Sequence, residues 1–400
     1  MVGGERQAAD PGPSATTSMV PAVGQGGETN KLGRVAIMPV ALPIMRPKLP
    51  DARSLVPYLA EIDNARVYSN FGPLSIRLES RLAAHFGAAE GTITTLANAT
   101  LGLALTLTAQ DAQTGTLCVV PGWTFVASAQ AAILAGLIPY FVDVDPQTWA
   151  LDPDGIEDEI ARAPGKVGAV MPVAPFGHSI DVNAWDRFRR RTGLPVAIDA
   201  AAGFDTLLPT ATPAIVSLHA TKVLGVGEGG FVLCGNLDLV RNIRTRSNFG
   251  FHGSRQAAIP AINAKLSEYH AAVGLAALDE WIPARAEWLD LAADYRHRLS
   301  RSRMAELQAG FGETWVSSVC LLDLRATDAD YLEKRMNAEG IETRRWWGHG
   351  AHAHPSMSGW PRTPLPTTER LAKSTLAVPM FRDMKTADVD RVIDCIETTI

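Results

Sequence analysis

The stretch Ser217-Leu218-His219-Ala220-Thr221-Lys222-Val223-Leu224-Gly225-Val226-Gly227-Glu228-Gly229-Gly230 decides how the rest of the chain is read. It lies between two apolar runs, Ala214-Ile215-Val216 and Phe231-Val232-Leu233-Cys234, and so reads as a polar loop slung between two buried strands. A lysine near the apolar ends of strands loses part of its hydration, which lowers its pKa and frees the neutral amine to attack a carbonyl. Lys222 is the first candidate for a covalent role. The bland alternative is a surface-loop lysine beside glycines that only turn a hairpin.

Upstream, Leu194-Pro195-Val196-Ala197-Ile198-Asp199 reads as a buried strand with an acid at its C-terminal end. Open α/β sheets bind their ligands at that edge. A strand-end acid and a strand-end lysine are the pair that pyridoxal phosphate (PLP) needs. The lysine carries the cofactor as a Schiff base, and the acid keeps the pyridine nitrogen protonated so that the ring acts as an electron sink.

These residues resemble the DegT-type, PLP-dependent sugar aminotransferases, which share the fold-type-I architecture of aspartate aminotransferase. The resemblance runs from about Tyr68 to Pro379. Its most specific part is Ser217 to Gly230, similar to the family's Ser-x-x-x-x-Lys followed by Gly-Glu-Gly-Gly. It implies an α/β fold whose large domain, residues 31–275, holds a mainly parallel seven-stranded sheet flanked by helices. A smaller α+β C-terminal domain over 276–400 follows, and PLP is the implied cofactor.

The resemblance also implies site residues. The PLP phosphate is expected on Ala97-Asn98-Ala99-Thr100, where the loop runs into a helix of small and apolar residues. Backbone amides at a helix start make an anion site, and the Thr100 hydroxyl adds a donor. Ala99 stands where the family usually has glycine. Read without the resemblance, Asn98 is a helix cap. Ser217 is expected to share the phosphate.

In Pro121-Gly122-Trp123-Thr124-Phe125 the family stacks an aromatic on the cofactor ring; Phe125 is the expected residue and Trp123 the nearby alternative, with core packing as the plain reading of both. Asp199-Ala200-Ala201 fits the family, but Ala202 replaces the Gln or His common there. Asn263-Ala264-Lys265-Leu266-Ser267-Glu268 resembles Asn-x-Arg-Met-Ser/Thr-Glu, with Lys265 for arginine. In relatives that asparagine reaches the phosphate of the neighbouring subunit's cofactor, which implies a homodimer with shared active sites. Asn70 in Tyr68-Ser69-Asn70-Phe71-Gly72-Pro73, His178 after Phe176-Gly177, and His252 in the loop Ser247 to Gly253 are the substrate candidates.

Four hundred residues, 46% hydrophobic and 20% charged, suit a soluble protein with room for two domains. A net charge of -5 gives no sign of a nucleic-acid or membrane surface. Cys118, Cys234, Cys320 and Cys395 lack metal-type spacing and read as buried thiols of a reducing cytoplasm. Residues 1–30, rich in Gly, Ser, Thr and Pro, read as a disordered extension rather than a signal peptide. His349, His352 and His354 have no acidic neighbour that would make them a metal site.

Between Leu117 and Arg191 strand and helix alternate: strands at 117–120, 138–144 and 167–174, and helices ending near Gly136 and spanning 152–163 and 182–191. That pattern implies a mainly parallel sheet wound on both faces. No G-x-G-x-x-G follows an early strand, which argues against a nicotinamide enzyme. A long helix from about Trp288 to Leu299, a strand over 316–324 and a helix over 328–339 fit the smaller domain.

The functional expectation is transfer of an amino group from glutamate or glutamine to a keto sugar on a nucleoside diphosphate. The alternatives are a PLP enzyme acting on a non-sugar ketone and a binding or regulatory protein that kept the fold. The family's dehydratases carry histidine in place of the lysine, and Lys222 argues against that chemistry.

Overall fold

The lysine loop is mounted on seven strands: β1 (Ile93–Leu96), β2 (Leu117–Pro121), β3 (Ile138–Val142), β4 (Val167–Val170), β5 (Ile198–Asp199), β6 (Ala214–Ser217) and β7 (Gly230–Leu233). The structure, a computed structural model, describes residues 42–325 and 327–398. Hydrogen bonding links the strands in the order β3-β2-β4-β5-β6-β7-β1. The β4–β5 join is made by short parallel bridges, in which Ala197 N–H donates to Val170 O at 3.1 Å and Ala174 N–H to Asp199 O at 2.9 Å. Only β7 runs against its neighbours.

Strand residues on this sheet are buried on both faces and therefore apolar almost throughout. One face, with Val119, Val216 and Phe231, packs against α2 (Pro73–His85), α6 (Val182–Thr192) and α8 (Glu268–Asp279) through Leu78, Leu82, Trp185, Phe188 and Leu275. The opposite face, with Val120, Ile215 and Val232, packs against α3 (Ala99–Ala109), α4 (Val126–Leu134) and α7 (Leu237–Arg246) through Leu103, Leu107, Ala131 and Ile243. Alternate residues of each strand feed opposite cores, as the period of two requires. The result is a mainly parallel sheet covered by helices on both faces.

After α9 (Trp281–Leu299), β8 (Ala305–Leu307), β9 (Cys320–Leu324) and β10 (Thr375–Val378) form an antiparallel sheet of order β10-β9-β8. With α9, α10 (Ala329–Ala338) and α12 (Thr386–Glu397) it encloses a separate core that includes Trp288, Tyr295, Leu322, Leu376 and Val392. The remaining helices are α1 (Ala52–Ala65), α5 (Ile156–Ala161) and α11 (Pro366–Ser374).

Several elements differ from the sequence expectation. Ile93–Leu96, for which no strand was expected, is strand β1, paired with β7. Thr95 is satisfied there because Glu79 of α2 accepts its N–H at 2.8 Å and its hydroxyl at 2.9 Å. Residues 153–155 are turn, and α5 covers only Ile156–Ala161 of the helix expected over 152–163. The helix after the Asn263 motif begins at Glu268, where Ser267 caps it by accepting the His270 N–H at 3.2 Å. The Trp288 helix begins earlier, at Trp281.

The extension expected over residues 1–30 lies outside the described residues. All four cysteines are buried and none is in a disulfide among the described residues. Among the described residues no helix is long and apolar enough to cross a membrane.

Candidate active site

Asp199 ends β5 and is 6% exposed. Ser128 Oγ–H donates to its Oδ2 at 2.7 Å, the Ala201 N–H donates to Oδ1 at 3.0 Å, and Thr124 Oγ1 lies 2.9 Å behind Ser128 Oγ. The first turn of α4 thus orients the carboxylate. Burial pushes the carboxyl up, while the Ser128 and Ala201 bonds and the charge of Lys222 pull it back down. Asp199 makes no ion pair within 4 Å among the described residues, and a protonated ring nitrogen would supply one.

The pairing of β6 with β7 continues into the loop. Leu218 N–H donates to Gly229 O at 2.9 Å, Ala220 N–H to Gly227 O at 2.8 Å and Val226 N–H to Leu218 O at 2.8 Å. Lys222 sits in the turn beyond, its N–H bonded to His219 O at 2.9 Å. Burial pushes its amine down, against the opposing pull of Asp199. Ser217, the last residue of β6, accepts the His219 N–H at 3.2 Å, and its own hydroxyl proton has no acceptor among the described residues.

The start of α3 lies against the first residue of β7. Asn98 caps the helix, accepting the Leu101 N–H at 2.9 Å, and the Ala99 and Thr100 amides have no protein partner among the described residues. Two open amides at a helix N-terminus suit an anion. A Cβ at Gly230 would lie 2.9 Å from the Ala99 nitrogen, so only glycine lets the strand pass this close. Ala99 itself joins the apolar core beneath.

These groups fit PLP: open amides for the phosphate, a carboxylate lacking a cation for the ring nitrogen, and a desolvated lysine for the aldehyde.

The remaining candidates scatter. Phe125, the residue before α4, is 52% exposed, whereas Trp123 is 2% exposed and packs on Trp347 and Phe176. His178 is half-buried and edge-on to Trp315 at 5.5 Å; burial pushes it down, and its Nδ1 is enclosed without a protein partner. Its neighbour Gly177 abuts the Ala202 carbonyl, where a Cβ would come within 2.7 Å. Asn263 is exposed and bridged to Asn248, and His252 is exposed on its loop. Lys265 Nζ lies 4.4 Å over the Phe249 ring.

Asn70, with a φ of 62°, lies in an open groove of about 830 Å³ lined by Arg66 to Pro73 and Ile76, which no residue of the lysine loop reaches.

Three contributors escaped the sequence. Ser128 is one: a small polar residue in an apolar helix, 71 positions from the acid it serves. Glu268 is the second, 1% exposed, accepting the Leu74 N–H at 2.7 Å and the Ser75 N–H at 2.9 Å. It caps α2 from α8 and so fixes the groove that holds Asn70. The third is Arg244, paired with buried Glu79 at 2.6 Å and placed 3.7 Å over the Phe71 ring.

A sheet of this strand order, with its single reversed strand reached through a lysine-bearing loop, is that of the fold-type-I PLP-dependent enzymes. The chain belongs to the DegT/DnrJ/EryC1/StrS aminotransferase family, whose sequence profile matches residues 51–397. It is 28% identical to Protein Rv3402c of Mycobacterium tuberculosis, covering 89% of each chain. It is 27% identical to GDP-perosamine synthase of Caulobacter vibrioides, covering 86% of this chain and 94% of that one. Among solved structures, DesI crystallised in the presence of its TDP-sugar product superposes with a TM-score of 0.79 at 29% identity, over 89% of this chain and 92% of that one.

Proposed function

We propose that the protein moves an amino group from an amino-acid donor, glutamate or glutamine, onto the keto group of a sugar carried on a nucleoside diphosphate. The observation that carries this reading is the juxtaposition of buried Asp199 with Lys222, whose amine is pushed toward its neutral form, beside the open start of α3. The sugar half rests on the relatives, one named as a perosamine synthase and another crystallised with a TDP-sugar product.

PLP, when bound, supplies the electron sink that stabilises negative charge at the donor's α-carbon. Lys222 anchors it and, once released, carries the proton to and from that carbon as general acid and base. Asp199, held by Ser128 and Ala201, keeps the ring nitrogen protonated. The Ala99 and Thr100 amides with the Ser217 hydroxyl bind the phosphate. Phe125 covers the ring face, and Asn70, His178 and His252 serve the substrate.

The working unit is a homodimer in which Asn263 completes the phosphate site of the second subunit. Exposed apolar side chains at Tyr68, Phe249, Ile262 and Tyr269 support a covered face there. The chain divides into a cofactor domain to about residue 275 and a smaller domain from 276, and it works in the cytoplasm.

The test is the visible absorption of the purified protein with added PLP, before and after excess glutamate, with Lys222→Ala in parallel. The wild type should gain a yellow band that glutamate bleaches. Lys222→Ala should stay folded, form no borohydride-stable adduct and lose turnover; substantial residual transamination in that variant overturns the assignment.

A further inference from the structure

We propose that His219 is a positioning residue for Lys222, its imidazole closing the turn that presents the amine. This rests on the aminotransferase reading above for the role of the lysine.

The Thr221 backbone N–H, which can only donate, points at His219 Nδ1 at 3.2 Å, and the Thr221 hydroxyl lies 2.7 Å from the same nitrogen. Nδ1 is therefore the acceptor, and the ring proton sits on Nε2. That nitrogen faces Glu228 Oε1 at 3.6 Å, so the Glu228 carboxylate favours the tautomer that the turn requires. The same residue's backbone N–H bonds Ser217 Oγ and its carbonyl takes the Lys222 N–H. One histidine thus ties together a phosphate ligand, the residue before the lysine and the lysine itself.

A side-chain acceptor bonded to the amide two residues on is the geometry of an Asx turn, with imidazole in place of a carboxamide. Gly227 closes the other side. It is bridged to His219 and lies against the His270 ring, which Ser267 holds at 2.8 Å. The His219 ring is only half-buried, so truncating it opens no cavity in the core. The consequence falls on the loop: the Thr221–Lys222 turn gains freedom, and the amine spends less time aimed at its carbonyl.

The experiment compares wild type, His219→Ala and His219→Asn by two readouts. One is amide hydrogen exchange of the segment 218–224 in cofactor-free protein. The other is the rate at which added PLP becomes fixed to Lys222, read by borohydride trapping and mass analysis. Loss of one net hydrogen bond should raise exchange in that segment roughly three- to tenfold in His219→Ala. Loss of orientation should slow PLP attachment by about tenfold or more. His219→Asn, which keeps an acceptor in the Asx position, should recover most of both.

Unchanged exchange in His219→Ala, or alanine and asparagine variants that behave alike, overturns the proposal. The exchange readout needs no cofactor. A wild type that never attaches PLP would therefore sink the aminotransferase reading, while the exchange still decides the role of His219.

Discussion

At the scale of single residues, Asp199 is bound by opposing demands. Its carboxyl is raised by burial, so the folded chain holds that proton more tightly than the unfolded chain does. The stability it contributes is complete below the ordinary carboxylate pKa and is lost as pH rises through the raised one. At neutral pH the cofactor-free protein therefore carries a penalty that Asp199→Asn removes. The variant should melt higher than wild type without PLP at pH 7 to 8, lose that advantage near pH 4, and show near-zero transamination. An unchanged rate would refute the ring-nitrogen role.

Lys222 and Asp199 were legible because each follows an uninterrupted apolar run, and such a run fixes where a strand ends. Ser128 was not, because its partner is brought to it by the sheet and not by spacing. The aromatic pair at 123 and 125 shows the same limit: the two are near neighbours in sequence, and only the start of α4 decides which one is buried.

At the scale of elements, two contacts between distant segments hold the site. A methyl group at Gly230 would press on the Ala99 nitrogen, and the start of α3 would have to shift. Gly230→Ala should weaken PLP binding by roughly tenfold or more, the equivalent of about 1.4 kcal/mol, in an equilibrium titration. Glu268→Ala strips the caps from the Leu74 and Ser75 amides and should destabilise the chain by about 2 kcal/mol in urea unfolding, with Glu268→Gln losing less. Periodicity found α6 almost from end to end, expected over 182–191 and observed over Val182–Thr192, since its apolar positions recur between the Asp181 cap and a run of arginines. It missed β1, where Thr94 and Thr95 interrupt the apolar run; Glu79 satisfies Thr95 in the core, while the buried Thr94 hydroxyl has no partner among the described residues. It also missed α1, which contains Pro57, although Asp51 caps it from the position just before.

At the scale of the whole molecule, the proposed sharing of active sites across a homodimer makes a complementation test available. Mixed and reassembled Lys222→Ala and Asn263→Ala chains should recover roughly a quarter of wild-type activity, because half the dimers are hybrids and each hybrid has one intact site. Recovery should vanish if the two variants are kept apart, and no recovery on mixing would mean that each subunit is self-sufficient.

The sheet is finished by β1, whose Ile93 pairs with Leu233 of β7, some 140 positions further along the chain. The hairpin carrying Lys222 is local and can zip early, but the helix start that faces it arrives only when this remote strand closes. On the ribosome, the proposed phosphate cradle cannot assemble until β7 has emerged. Cofactor capture is therefore a late event in the life of the chain, and it reports that the sheet has been completed.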